Sequence, residues 1–140
     1  MEFALGDDGG ANKTAEVAAA ALYPQIRLFT VGECFYSPQP LPALRSISQP
    51  WVQASPHSVA RGGMFGEFSA VCWFFGRQVA DANPRVPIGL IASTRGGSPI
   101  AEWGTGGQKA CGKPTVQGHY FNTQIAPFAT GPMALAGFNW

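Results

Sequence analysis

Charged residues are scarce. Asp, Glu, Lys and Arg make up 12% of the 140 residues, and the formal net charge is +1. A chain this close to neutral offers no basic field for nucleic acid and no polybasic stretch for an anionic membrane. Long hydrophobic runs are missing too, and none reaches the ~18 apolar residues of a membrane span. Histidine occurs twice, as His57 and His119, and cysteine three times, as Cys34, Cys72 and Cys111. The cysteine spacings match no zinc pattern, and the odd number leaves at least one thiol unpaired within the chain. Cys72 lies inside an apolar run and reads as a small core residue; spacing does not decide whether Cys34 and Cys111 are bridged or free. No secretory signal is visible, because Met1 is followed by Glu2, Asp7 and Asp8 rather than by a basic region and an apolar core.

What the chain has in quantity is glycine and proline, 18 and 12 residues. Many turns and loops follow from that. An apolar fraction of 46% is ordinary for a globular protein, and the length suits one domain, residues 1–140.

Along the chain, Glu2 to Leu5 is apolar enough to begin a helix or pack on one. Gly6 to Gly10 is a loop; it lacks the preceding strand and the spacing of a phosphate-binding turn. Asn12-Lys13-Thr14 is an N-glycosylation sequon, meaningful only on a secretory route. The alanine-rich stretch from Thr14 to Leu22 predicts a helix, with Pro24 beyond its end. Ile26 to Val31 alternates with β-branched and aromatic residues and predicts a strand. From Gly32 to Gly63 prolines recur, and only Trp51-Val52 suggests a brief edge strand. His57 sits in this excursion and reads as a solvent-facing loop residue.

Beyond it the pattern tightens. Phe68, Val71, Cys72, Phe75 and Val79 share one helical face, the bulk of Trp73 and Phe74 suggests burial on more than one side, and Asn83-Pro84 ends the helix. Pro87 to Ala92 is apolar without alternation, as in a parallel strand covered on both faces. Helix, turn, strand, glycine loop and helix start form the grammar of an α/β sheet. The loop Ser93-Thr94-Arg95-Gly96-Gly97-Ser98 therefore lies past the carboxyl end of a strand, where open α/β sheets bind ligands. Ser98 suits an N-cap and Pro99 the first helical position. Exposed amides there suit a developing oxyanion; composition alone favours a turn that merely joins strand to helix.

Gly107 to Lys113 matches G-x-x-x-x-G-K, but Pro114 follows where Ser or Thr would ligate magnesium, and no strand precedes it. That excludes a nucleotide loop. Tyr120 to Phe128 places Phe121, Ile125 and Phe128 on one helical face, with His119 just ahead as a structural or exposed residue. Met133 to Trp140 reads as a buried strand.

Several blocks carry a resemblance. Phe68-Ser69-Ala70-Val71-Cys72-Trp73-Phe74-Phe75-Gly76, Val86-Pro87-Ile88-Gly89-Leu90-Ile91 and Gly96-Gly97-Ser98-Pro99-Ile100-Ala101-Glu102-Trp103 resemble the sialate O-acetylesterase family, a branch of the SGNH-type esterases. The likeness continues in Lys109-Ala110-Cys111-Gly112, in Phe121 to Pro127 and in Gly137-Phe138-Asn139-Trp140. Met1-Glu2-Phe3 resembles the tail of the family's Gly-Gln-Ser-Asn-Met-Glu nucleophile motif.

The resemblance implies a partial three-layer α/β/α domain with a mostly parallel sheet. It implies a serine esterase that removes O-acetyl groups from sialic acids or other acetylated sugars, with no metal or organic cofactor. Gly96 and Gly97 fall on the family's oxyanion or substrate loop, and Arg95 stands where the family commonly has tryptophan. The family's nucleophilic serine would lie two residues before Met1, and its later Trp-Tyr-Gln-Gly-Glu and Asp-x-x-His blocks would begin at Trp140 and beyond. Ser69, Ser93 and Ser98 lack the preceding Gly-Gln, and neither His57 nor His119 matches the catalytic histidine. The expectation is an internal segment of such an esterase, inactive in isolation; a non-catalytic sugar-binding segment and an incomplete chain that does not fold alone are the competing readings. Family members are typically lysosomal, secreted or periplasmic.

Overall fold

The computed structural model describes residues 3–6, 12–32, 37–62, 68–105 and 118–139. The chain divides into two compact units. One comprises Met1–Val31 with Ser48–Gly96, and the other Gly32–Ile47 with Gly97–Trp140.

The first unit holds the sheet and its main helix. Helix α1 (Lys13–Ala19) runs into a 3-10 turn at Ala20–Leu22, where the alanine-rich composition placed a helix. Strand β1 (Ile26–Val31) follows as its alternation predicts. Strand β3 (Ile88–Ala92) pairs with it in parallel, with Ile26 opposite Ile88 and Leu28 opposite Leu90. The third strand, β2 (Ile47–Gln53), lies on the other side of β1. Ala54 N donates to Ile26 O at one end, and Gly32 N donates to Ser46 O at the other. Those bonds run β2 antiparallel to β1. The α/β class holds, but the described sheet is mixed, with one parallel and one antiparallel pair, rather than mostly parallel. Pro50 is tolerated because β2 lies at the edge of the described sheet and Pro50 is exposed.

Two short elements lie within the proline-rich excursion. β2 is longer than the Trp51-Val52 pair suggested. Helix α2 (Pro56–Ala60) follows it, with proline in its first turn and a reciprocal cap between Ser55 and Ser58. Proline at the start of a helix loses no bond that the helix would have made.

Helix α3 (Ala70–Ala82) packs on β1 and β3. Ser69 Oγ caps it by accepting from Cys72 N at 3.2 Å. Ahead of the cap, Ala4 bridges Ser69 antiparallel, and Phe3 O accepts from Ala70 N. The buried face of α3 is not the one its large apolar residues predict. Ala70, Trp73, Gly76 and Ala80 are buried, whereas Val71 and Phe75 are exposed, Phe75 by 49%. The reason is close approach to the sheet. A Cβ on Gly76 would overlap the Leu90 side chain, so the small residues set the contact. Trp73 fills the remaining space and meets Tyr23 edge-on, with ring centroids 5.7 Å apart. Together with Ile26, Leu28, Val59, Phe68 and Leu90, Trp73 forms the core. Each such side chain contributes about 1.5–3 kcal/mol on burial.

Among the described residues β3 is fully covered on one face only. Leu90 and Ala92 are buried, but Gly89 is exposed and Ile91 half-buried. On that open face the exposed Trp51 ring reaches across Gly89 and packs against Phe29 at 5.3 Å. This corrects the expectation of a strand buried on both sides.

The described residues of the second unit are mostly loop. They contain a 3-10 turn at Ile100–Glu102, a π-helical turn at Phe121–Ile125 and helix α4 (Ala126–Ala129). Residues 133–139 form no strand and are largely exposed, Phe138 by 69%. A strand needs a neighbour for its amides and carbonyls, and among the described residues none pairs with this run.

Candidate functional site

β3 delivers the chain to the glycine loop at its carboxyl end, beside the parallel strand β1. Ser93 and Thr94 are half-buried, and Arg95, Gly96 and Gly97 are exposed. Gly97 has φ +76, and a Cβ there would meet nothing within 4 Å. Glycine is thus required by backbone conformation and not by crowding. The boundary between the two units falls between Gly96 and Gly97.

After Gly97 the chain makes a single 3-10 turn instead of the expected helix. Glu102 N donates to Pro99 O and Trp103 N to Ile100 O, both at 3.0 Å. Pro99 occupies the cap position without a side-chain cap. Ser98, expected as the N-cap, accepts a hydrogen bond at Oγ from Trp103 Nε1 at 2.8 Å. Gly104 follows directly and disfavours continuing the helix.

Trp103 is 9% exposed. Its ring stacks on Tyr120 at 4.7 Å with 17° between the planes. His119 lies against the other partner of that stack, its ring 4.8 Å from Tyr120. The turn that follows is closed by side-chain and backbone bonds. Asn122 N donates to Gly118 O, and Thr123 Oγ1 donates to His119 O at 2.8 Å. Asn122 Nδ2 donates to Ser37 O at 3.0 Å, and its backbone carbonyl accepts from Leu41 N at 2.8 Å. One asparagine therefore ties residues 37–41 to the π-helical turn. The buried side chains here are Asn122, Thr123 and Gln124; Phe121, Ile125 and Phe128, the face that periodicity favoured, are only half-buried. A π-helical turn carries one residue more per turn than an α-helix, which displaces the i, i+4 face.

The remaining sequence candidates separate. Ser69 is buried as a helix cap. His57 is exposed and is the second residue of α2. Cys72 is partly buried, and desolvation pushes its thiol from 9.0 up to about 11, which suits an inert packing thiol rather than a nucleophile. Cys34, Cys111 and the Gly107–Lys113 motif lie outside the described residues. Among the described residues no group of His, Cys, Asp and Glu is clustered to hold a metal ion, and no helix is long and apolar enough to cross a membrane.

Sequence reasoning missed the Trp103–Tyr120 stack and the role of Asn122. Trp103 ends the family-like stretch from Gly96, but its partner is distant in sequence and no spacing rule reveals it.

The chain matches no family model. It is 38% identical over 104 residues to human sialate O-acetylesterase, covering 74% of this chain and 19% of that protein. The rat sialate O-acetylesterase is 32% identical over 122 residues, covering 86% of this chain and 22% of that protein. Over three-quarters or so of its length the chain is similar to sialate O-acetylesterases. A solved carbohydrate acetylesterase from Xanthomonas citri superposes with a TM-score of 0.71 at 31% identity, over 94% of this chain and 28% of that one. The chain thus spans about a fifth of the length of the curated sialate O-acetylesterases it matches.

Proposed function

We propose that the protein takes part in hydrolysis of O-acetyl esters on carbohydrates, with O-acetylated sialic acids as the preferred substrates. Its relatives are sialate O-acetylesterases and a carbohydrate acetylesterase. The observation that carries the reading is the exposed Gly96-Gly97 turn at the carboxyl end of a parallel strand, within a chain matched almost throughout by an acetylesterase.

Attack on an acetyl ester converts its carbonyl oxygen into an oxyanion. Fixed amide donors stabilise that charge more than they stabilise the ground-state carbonyl. In this reading Gly96 and Gly97 supply such donors, because lack of side chains lets a substrate approach their backbone. The family's serine attacks the ester carbon while its histidine takes the serine proton; the histidine gives that proton to the departing sugar hydroxyl, which leaves an acetyl-serine, and water attacking in turn releases acetate and restores the serine.

The test is acetate release from 9-O-acetylated sialic acid and from a simple aryl acetate by the full-length protein. Release that stops on replacing one serine supports the reading. Binding of the sugar without any release would replace it with a non-catalytic carbohydrate-binding role.

A further inference from the structure

We propose that Trp103 is a positioning residue that, through its indole bond to Ser98, holds the Gly97 amide in place for catalysis. The inference rests on the esterase reading above and assigns a role to residues outside the glycine pair.

Gly97 stands at a positive φ, exposed, with open space where a side chain would be. Among the described residues outside its chain neighbours, nothing lies within 4 Å of where its side chain would be. Its neighbour Ser98 supplies an anchor, since Ser98 Oγ accepts from Trp103 Nε1 at 2.8 Å. The bond bridges the ends of a tight 3-10 turn, so little freedom is left between the two residues.

An anchor is useful only if it does not move. Trp103 is nearly buried and lies flat on Tyr120. Tyr120 immediately precedes the π-helical turn, which Asn122 fastens to Gly118, Ser37 and Leu41. A continuous set of contacts therefore runs from a buried asparagine to an exposed glycine, all within the second unit. Donors that need no reorientation when charge develops stabilise it most, and a misplacement of about 1 Å can cost on the order of 100-fold in rate.

Trp103→Phe keeps a ring for the stack and removes the donor. Ser98→Ala removes the acceptor, and Ser98→Thr restores one. In the full-length protein, hydrogen exchange of the peptide covering residues 93–99 is expected to quicken at least about tenfold in Trp103→Phe and Ser98→Ala. In the same two variants kcat on an aryl acetate is expected to fall about 10- to 100-fold with KM within about twofold. Ser98→Thr should recover most of both. Unchanged exchange would overturn the proposal, and so would faster exchange with unchanged kcat. Wild-type protein that hydrolyses no acetyl ester would sink the esterase reading and the catalytic purpose with it. The exchange data would still report separately whether the indole bond holds the loop.

Discussion

The two units bury different chemistry. In the first, the described core is Leu5, Ile26, Leu28, Val59, Phe68, Trp73 and Leu90 with several alanines. In the second, the buried apolar residues among those described are Ala101, Trp103 and Ala126, and beside them lie Ser37, Asn122, Thr123 and Gln124. Burial of apolar surface is non-directional and tolerates some repacking. A buried amide must find its partners at defined distances and angles. The first unit is thus built like a scaffold, and the second is held by specific bonds around the loop that bears Gly97.

The largest expected effect lies in the scaffold. Trp73→Ala empties the centre of the core and should cost about 3–5 kcal/mol in denaturant unfolding. A loss below about 1 kcal/mol would mean that the α3 contact with the sheet does not organise this unit.

Cys72 tests the same packing by chemistry. A thiol raised from 9.0 to about 11 holds about 100-fold less thiolate at pH 8. Alkylation of Cys72, followed by peptide mass mapping, should be about 100-fold slower than for an unfolded control, and should speed up as pH rises toward 11. Labelling at the control rate would show that the α3 interface is open.

In the second unit, Asn122→Ala leaves the Ser37 carbonyl without this donor. A cost of about 1–3 kcal/mol is expected, measured by the unfolding midpoint. A neutral result would remove the claim that polar bonds hold this unit. The smallest effect should come from Phe75→Ser, on the exposed face of α3, within about 0.5 kcal/mol of wild type. A large loss there would restore the face that periodicity favoured.

The contrast between Trp73 and Phe75 shows what the sequence could reveal. Strand β1 was legible from its alternation, the α1 region from its alanines, the span of α3 from helical spacing and the Asn83-Pro84 stop, and strand β3 from a short apolar run between turn residues. The buried face of α3 was not, since periodicity counts large apolar residues and the decisive ones are Ala70, Gly76 and Ala80. Their effect is to admit Leu90, a contact made across the fold. The residues from Met133 onward read as a strand from composition, but strand formation depends on an available partner. At the site, the Gly96-Gly97 turn was visible from its place after β3 and from its resemblance. The Trp103–Ser98 bond, the stack on Tyr120 and the reach of Asn122 to Ser37 depend on three-dimensional closure and left no periodic trace.

The central claim is that the Gly97 turn serves acetyl ester hydrolysis. It is tested most directly by comparing kcat/KM of the full-length wild type and Gly97→Val on 9-O-acetylated sialic acid. Valine at a positive φ is strained whatever the space around it, so the rates are compared on soluble protein that keeps the wild-type unfolding midpoint. The expected result is active wild type and a variant slowed by about 100- to 1,000-fold, the usual loss for one oxyanion donor. Equal rates for the two proteins would contradict the account.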